Sequence, residues 1–90
     1  MFKFVLNKEK SDSNYKILEC ELENCRLTII QWKEQTSVFV RRYIYSEDKD
    51  YLGNIEIVDH RATSLPDAKR LAEKIYDIVL GYKPVDKWKD

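Results

Sequence analysis

Ninety residues allow one domain with an ordinary core, because a chain of this size buries only roughly 60–65% of the surface that its unfolded form exposes. Sixteen basic and sixteen acidic residues give a formal net charge of zero, which excludes long-range electrostatic capture of DNA, RNA or anionic membranes and leaves only a local patch to do such work. No apolar run reaches the roughly 20 residues of a membrane helix. The segment Met1 to Leu6 alternates instead of forming a signal-peptide core, so a single domain spanning 1–90 is expected in the cytoplasm.

In chain order, Met1 to Leu6 places Phe2, Phe4 and Leu6 on one side and Lys3 and Val5 on the other, the mark of a short strand. Asn7 to Asn14 has no apolar residue and is a loop. Three β-rich segments follow: Tyr15 to Leu22, Cys25 to Lys33 and Thr36 to Tyr45. Glu23-Asn24 and Glu34-Gln35 are the expected turns. Asn24 tolerates the positive φ of a tight hairpin, whereas Gln35 does not favour it, so the second turn has reason to be longer.

These turns set a register. Leu22 then faces Cys25, Cys20 faces Leu27 and Leu18 faces Ile29. In the second hairpin, Ile29 faces Val40 and Leu27 faces Arg42. Leu18, Cys20, Leu22, Leu27, Ile29, Val38, Val40 and Ile44 share an apolar face on which Arg42 is the misfit. The opposite face carries Tyr15, Ile17, Glu19, Glu21, Arg26, Thr28, Ile30, Trp32, Phe39, Arg41, Tyr43 and Tyr45. Glu21 falls opposite Arg26 as a cross-strand ion pair.

Ser46 to Gly53 reads as a polar loop, and Asn54 to His60 as a last strand with Ile55 and Ile57 inward. The clearest helix comes next. Ser64 is its N-cap, Pro66 fits the first turn, and Asp67 complements the helix dipole from a capping-box position. Ala68, Leu71, Ala72, Ile75, Ile78 and Val79 form an apolar stripe at helical spacing. Gly81 ends the helix and Pro84 blocks its continuation, so residues 1–81 form the core and 82–90 a charged tail carrying Trp88.

Strands first and one helix last imply an α+β fold, an antiparallel sheet of four or five strands with the C-terminal helix on one face. The helix stripe is expected to cover the apolar face, which leaves the aromatic and basic face either open or covered by the N-terminal strand, the loop from Asn7 to Asn14 or the C-terminal tail. Tyr15, Arg26, Trp32, Phe39, Arg41, Tyr43 and Tyr45 are therefore the candidate binding residues, because aromatics mixed with arginine on an exposed patch mark protein interfaces. The expected partner is a protein or a second copy of the chain. The same ingredients suit single-stranded nucleic acid as an alternative, by base stacking on rings and arginine on phosphate. Glu19 and Glu21 oppose that alternative by repelling phosphate.

The stretch Arg26 to Tyr45, with Ser64-Leu65 opening a helix, resembles in outline the single-stranded-DNA-binding PC4-like domains. That resemblance implies nucleic-acid binding on the same sheet face. The basic, glycine-containing turn of such domains is replaced here by Lys33-Glu34-Gln35-Thr36.

Nothing marks an enzyme. Asp59, His60, Arg61 and Ser64 cluster near the strand–helix junction, but strand neighbours point to opposite faces and Ser64 is committed as a cap, so no catalytic dyad is expected. Gly53 and Gly81 are the only glycines, too few for a phosphate loop, and no cofactor is expected. Cys20 and Cys25 with the lone His60 lack the ligands of a zinc site, so no metal is expected and both thiols read as reduced, buried apolar groups.

Overall fold

The computed structural model describes residues 2–82. Five antiparallel strands run in the order β1-β2-β3-β4-β5, followed by one helix. They are β1 (Val5–Leu6), β2 (Lys16–Leu22), β3 (Cys25–Gln31), β4 (Thr36–Tyr45), β5 (Tyr51–Ala62) and α1 (Leu65–Gly81). This is the α+β meander that the order of elements implies. The tail residues 83–90, with Trp88, lie outside the described residues.

The first hairpin has the expected register: Leu22 opposes Cys25, Cys20 opposes Leu27, and Leu18 opposes Ile29. Asn24 turns the chain at a φ of 60°. The second hairpin differs. Trp32 to Gln35 form a four-residue loop closed by the Trp32 N–H donating to the Gln35 carbonyl at 2.8 Å, so Ile29 faces Val38, Leu27 faces Val40 and Arg42 faces Cys25. Gln35 in place of Asn or Gly disfavours the tighter two-residue turn. The slip is two residues, one full side-chain period, so both faces keep their membership. Trp32 thereby leaves the strand and enters the loop, and Tyr15 sits one residue before β2.

β5 begins at Tyr51 rather than Asn54. The polar Ser46 to Asp50 segment closes as a loop through the Ser46 N–H to the Asp50 carbonyl at 2.9 Å, with Lys49 at a φ of 66°. A bulge between Tyr51 and Gly53 breaks the alternation that would have revealed the strand start. β4 and β5 run on past the end of β3 at Cys25, so this hairpin projects and the molecule is elongated, 50 × 25 × 22 Å.

α1 starts as expected. Ser64 Oγ accepts from the Asp67 N–H at 3.2 Å, and Asp67 Oδ2 accepts from the Thr63 N–H at 3.0 Å. The latter bond reaches one residue before the cap. Ala68, Ala72, Ile75 and Val79 are buried against Cys20, Cys25, Leu27, Ile29, Val38 and Val40 to form the core, with Phe2, Phe4 and Ile57 at its margin. Ile78 does not belong to the buried stripe; it sits on the helix flank, largely exposed.

The misfit Arg42 has a structural answer. Its Nη1 donates to the carbonyls of Val79 and Tyr82, each at 2.7 Å. The last turn of α1 carries no basic residue of its own. A guanidinium supplied by β4 therefore satisfies orphan carbonyls and the negative end of the helix dipole from across the core.

Candidate functional site: the open face of the sheet

Parity in the sheet decides which residues share the surface away from α1. Glu19, Thr28, Phe39 and Val58 stand in one transverse row, and Glu21, Arg26, Arg41 and Glu56 in the next. Ile17, Ile30 and Ser37 form the row on the other side. The loop before β2 does not fold across them. Asn7, Ser11 and Asp12 tie it to the β2 edge, with the Asn7 N–H donating to the Ile17 carbonyl at 2.8 Å and Ser11 Oγ accepting from the Ile17 N–H at 2.9 Å. Phe2 and Phe4 turn to the helix side, where the Phe2 ring meets Tyr76 edge-on with centroids 4.9 Å apart. Among the described residues no strand or helix crosses this face; Asn7 and Lys10 reach only its Glu19 edge, and Ser37 alone within it is buried.

At its centre is a shallow hollow of about 270 Å³. Ile17, Ile30 and Phe39 supply an apolar floor; Lys10, Glu19, Arg26, Thr28, Arg41 and Glu56 form its rim. The rim cations all have carboxylate neighbours. Arg26 pairs with Glu21, Arg41 Nη2 lies 2.9 Å from Glu56, and Lys10 Nζ lies 3.8 Å from Glu19, which also accepts from Asn7 Nδ2 at 2.7 Å. The hydrogen bond to Glu21 raises the Arg26 pKa above its ordinary value. These pairs are solvent-exposed and add little stability. Their consequence is electrostatic: the two arginines expected to make the face basic are neutralised within it.

The aromatic candidates separate into three groups. Tyr15 and Trp32 pack at one end, with ring centroids 5.1 Å apart, and Trp32 remains 50% exposed. Phe39 lies in the hollow with His60 edge-on at 6.4 Å. Tyr43 and Tyr45 occupy the projecting hairpin at the far end, where both meet Tyr51, at 6.4 and 5.8 Å. Tyr51, Glu56, Val58 and His60 complete the face from β5. Tyr51 was hidden from the sequence pattern by the bulge, and Glu56 by the absence of a fixed register between β4 and β5.

The residues at the strand–helix junction do not converge on a reactive centre. Asp59 is held by Arg61 through contacts of 2.6 to 3.1 Å, and these hydrogen bonds keep its carboxyl below the usual carboxylate range. His60 turns the other way, with its Nδ1 2.7 Å from Ser37 Oγ. Ser37 is buried, so the hydroxyl of this pair is withdrawn from any substrate. Cys20 and Cys25 are free and buried on the helix side, and burial pushes the Cys25 thiol above its ordinary pKa, against the opposing influence of Arg42. Among the described residues, no group of three or more His, Cys, Asp or Glu is placed to hold a metal ion, and no helix is long and apolar enough to cross a membrane.

Comparison with known proteins gives no significant match, whether to a family model, a curated protein or a solved structure.

Proposed function

We propose that this chain is a non-catalytic binding module that takes up a protein on the open face of its sheet. One observation carries this reading: a hollow, uncovered among the described residues, with an apolar floor whose rim charges are already paired. A polypeptide can desolvate Ile17, Ile30 and Phe39 while polar groups at the rim exchange partners, the arrangement of an apolar centre inside a polar border that protein interfaces use. Tyr15 and Trp32 at one end, and Tyr43 and Tyr45 at the other, extend the contact along the sheet. The cytoplasm is the proposed compartment, where Cys20 and Cys25 stay reduced.

Single-stranded nucleic acid is the weaker fit. A phosphate backbone needs unneutralised cations, and Arg26 and Arg41 could serve it only by giving up Glu21 and Glu56. Two assays test the choice. In affinity capture, the wild-type chain should retain a discrete protein partner that persists in high salt, and Phe39→Asp should lose it. In parallel, the anisotropy of a labelled single-stranded oligonucleotide should stay flat as the protein is added. Oligonucleotide binding that weakens steeply with salt would replace the proposal with the nucleic-acid reading.

A further inference from the structure

We propose that the outer edge of β5 is a second interface, one that joins two copies of this chain into a continuous antiparallel sheet. This rests on the edge and the helix flank, independently of what binds the open face. The two edges of the sheet are treated differently. The β1 edge is two residues long, bordered by the tied-down loop before β2. The β5 edge is long, and among the described residues nothing pairs with it. Such an edge is a template for another strand, and natural proteins usually blunt it.

Blunting is present at both ends: at the start of β5 the bulge between Tyr51 and Gly53 interrupts the edge. At the other end the Arg61 N–H is taken by Asp59 Oδ1 at 2.8 Å, and the Arg61 guanidinium folds back on the same carboxylate. A register shift lies in the same stretch, between Asp59 and Ala62. That leaves the regular stretch from Gly53 to Asp59 as usable edge.

Backbone alternation says which groups are on offer. The Tyr43 N–H donates to Asn24 on the β3 side, so the Arg42 backbone groups turn toward β5, and those of its partner Ile55 turn back toward β4. Asn54, Glu56 and Val58 therefore aim their N–H and C=O groups outward.

Charge narrows the register. A two-fold axis at Ile55 places Ile55 against its own copy, Asn54 against Glu56, and the bulge residue Leu52 against Val58. Leu52 and Val58 are 64% and 43% exposed in the single chain, and no like charges oppose each other. Moving the axis to Glu56 sets Glu56 against Glu56, an unfavourable like-charge pair, and moving it to Ile57 sets the apolar Ile55 against the Asp59 carboxylate. Charge thus favours the Ile55 axis, one residue from the centre of the usable edge, over these two.

The helix side gives the second copy something to bury. α1 lies mainly over β4, leaving Ile55 and Ile57 only half-covered. Leu71 and Ile78 share the helix flank opposite Tyr76, and Leu71 borders the same hollow as Arg61 of β5. Ile78 is 63% exposed. Arg61, Asp67, Arg70 and Lys74 border that hollow as well, so what a copy added at β5 can bury on this flank beyond bare backbone pairing is Leu71 and Ile78 alone.

Sedimentation equilibrium of the full chain should show a monomer–dimer equilibrium that persists in high salt. Ile55→Lys, which sets two lysines across the axis, should raise the dimer dissociation constant at least about tenfold with an unchanged circular dichroism spectrum. Since Ile55 opposes itself as a non-hydrogen-bonded pair, where Cα atoms approach to about 4.5 Å, Ile55→Cys should form a disulfide-linked dimer under mild oxidation, faster than Glu56→Cys. A wild-type chain that stays monomeric at about 0.2 mM, well above the Kd of a useful weak dimer, would overturn the interface. So would cross-linking through Glu56→Cys in preference to Ile55→Cys, because the register would then be wrong.

Discussion

Arg42→Met isolates the contact that joins sheet to helix. Methionine keeps an unbranched apolar stem of similar reach beside Cys25 and removes the guanidinium. Two hydrogen bonds of 2.7 Å are lost, to the carbonyls of Val79 and Tyr82, together with the cation at the negative end of α1. A hydrogen bond to a charged group contributes about 1.5–3 kcal/mol, but Tyr82 is exposed and water can replace that bond, so the net cost should be about 2–3 kcal/mol. For a domain of this size each kcal/mol moves Tm by roughly 4–8 °C, so the transition should fall by about 8–24 °C. Thermal and urea unfolding followed by circular dichroism measures the loss. Hydrogen exchange should show faster opening confined first to the last turn of α1. Arg42→Lys should recover part of the loss, since one ammonium can serve one carbonyl but lacks the fork of the guanidinium. If Arg42→Met is within about 0.5 kcal/mol of wild type, the size expected of a featureless surface change, Arg42 does not cap the helix and this reasoning fails.

Other substitutions separate core from binding face. Ile29→Ala should cost about 2–5 kcal/mol in urea unfolding. Trp32→Ala, which gives up the ring contact with Tyr15 from a side chain already 50% exposed, should cost about 0.5–1.5 kcal/mol; an equal cost for both would place the aromatic end inside the core. Ser64→Ala should cost about 1 kcal/mol by removing the N-cap acceptor, measurable in the same assay. The Asp67 carboxyl is held below the usual carboxylate range, first by the Thr63 backbone N–H and then by Arg70. A folded-state pKa below the unfolded one adds stability that is complete above about pH 4 and fades as pH falls through the folded value. Asp67→Asn should remove that component, so the Tm curves of variant and wild type should converge in acid; a constant gap down to pH 2 would contradict the assignment. Cys20 and Cys25 should resist a thiol reagent in the native protein and react at once in denaturant, because both are buried and the Cys25 pKa is raised.

Much of this fold was legible in the sequence because strand parity is robust to small errors of pairing. The second hairpin shows why: an expected two-residue turn became a four-residue loop, yet Leu27, Ile29, Val38 and Val40 remained together, since a slip of two restores every side chain to its own face. What lay beyond reach depended on elements far apart in the chain. Arg42 looks misplaced until the C-terminus of α1 arrives over it. Arg26 and Arg41 look basic until Glu21 and Glu56 are set beside them, and the Arg41 pair needs the β4–β5 register. Tyr51 is lost to the pattern because the bulge at Leu52 and Gly53 interrupts the alternation. Ile78 fits the helical spacing of the buried stripe and is nevertheless exposed, because α1 is centred over β4 rather than over the sheet edge, a placement no local pattern encodes.

The most direct test of the open face is site-specific photocross-linking in cells that express the chain. A photoreactive phenylalanine analogue would replace Phe39 in the hollow and, as a control, Glu73 on the exposed side of α1. The predicted result is one discrete protein adduct from position 39, none from position 73, and no nucleic acid in either. An adduct to nucleic acid, or equal adducts from both positions, would contradict the account.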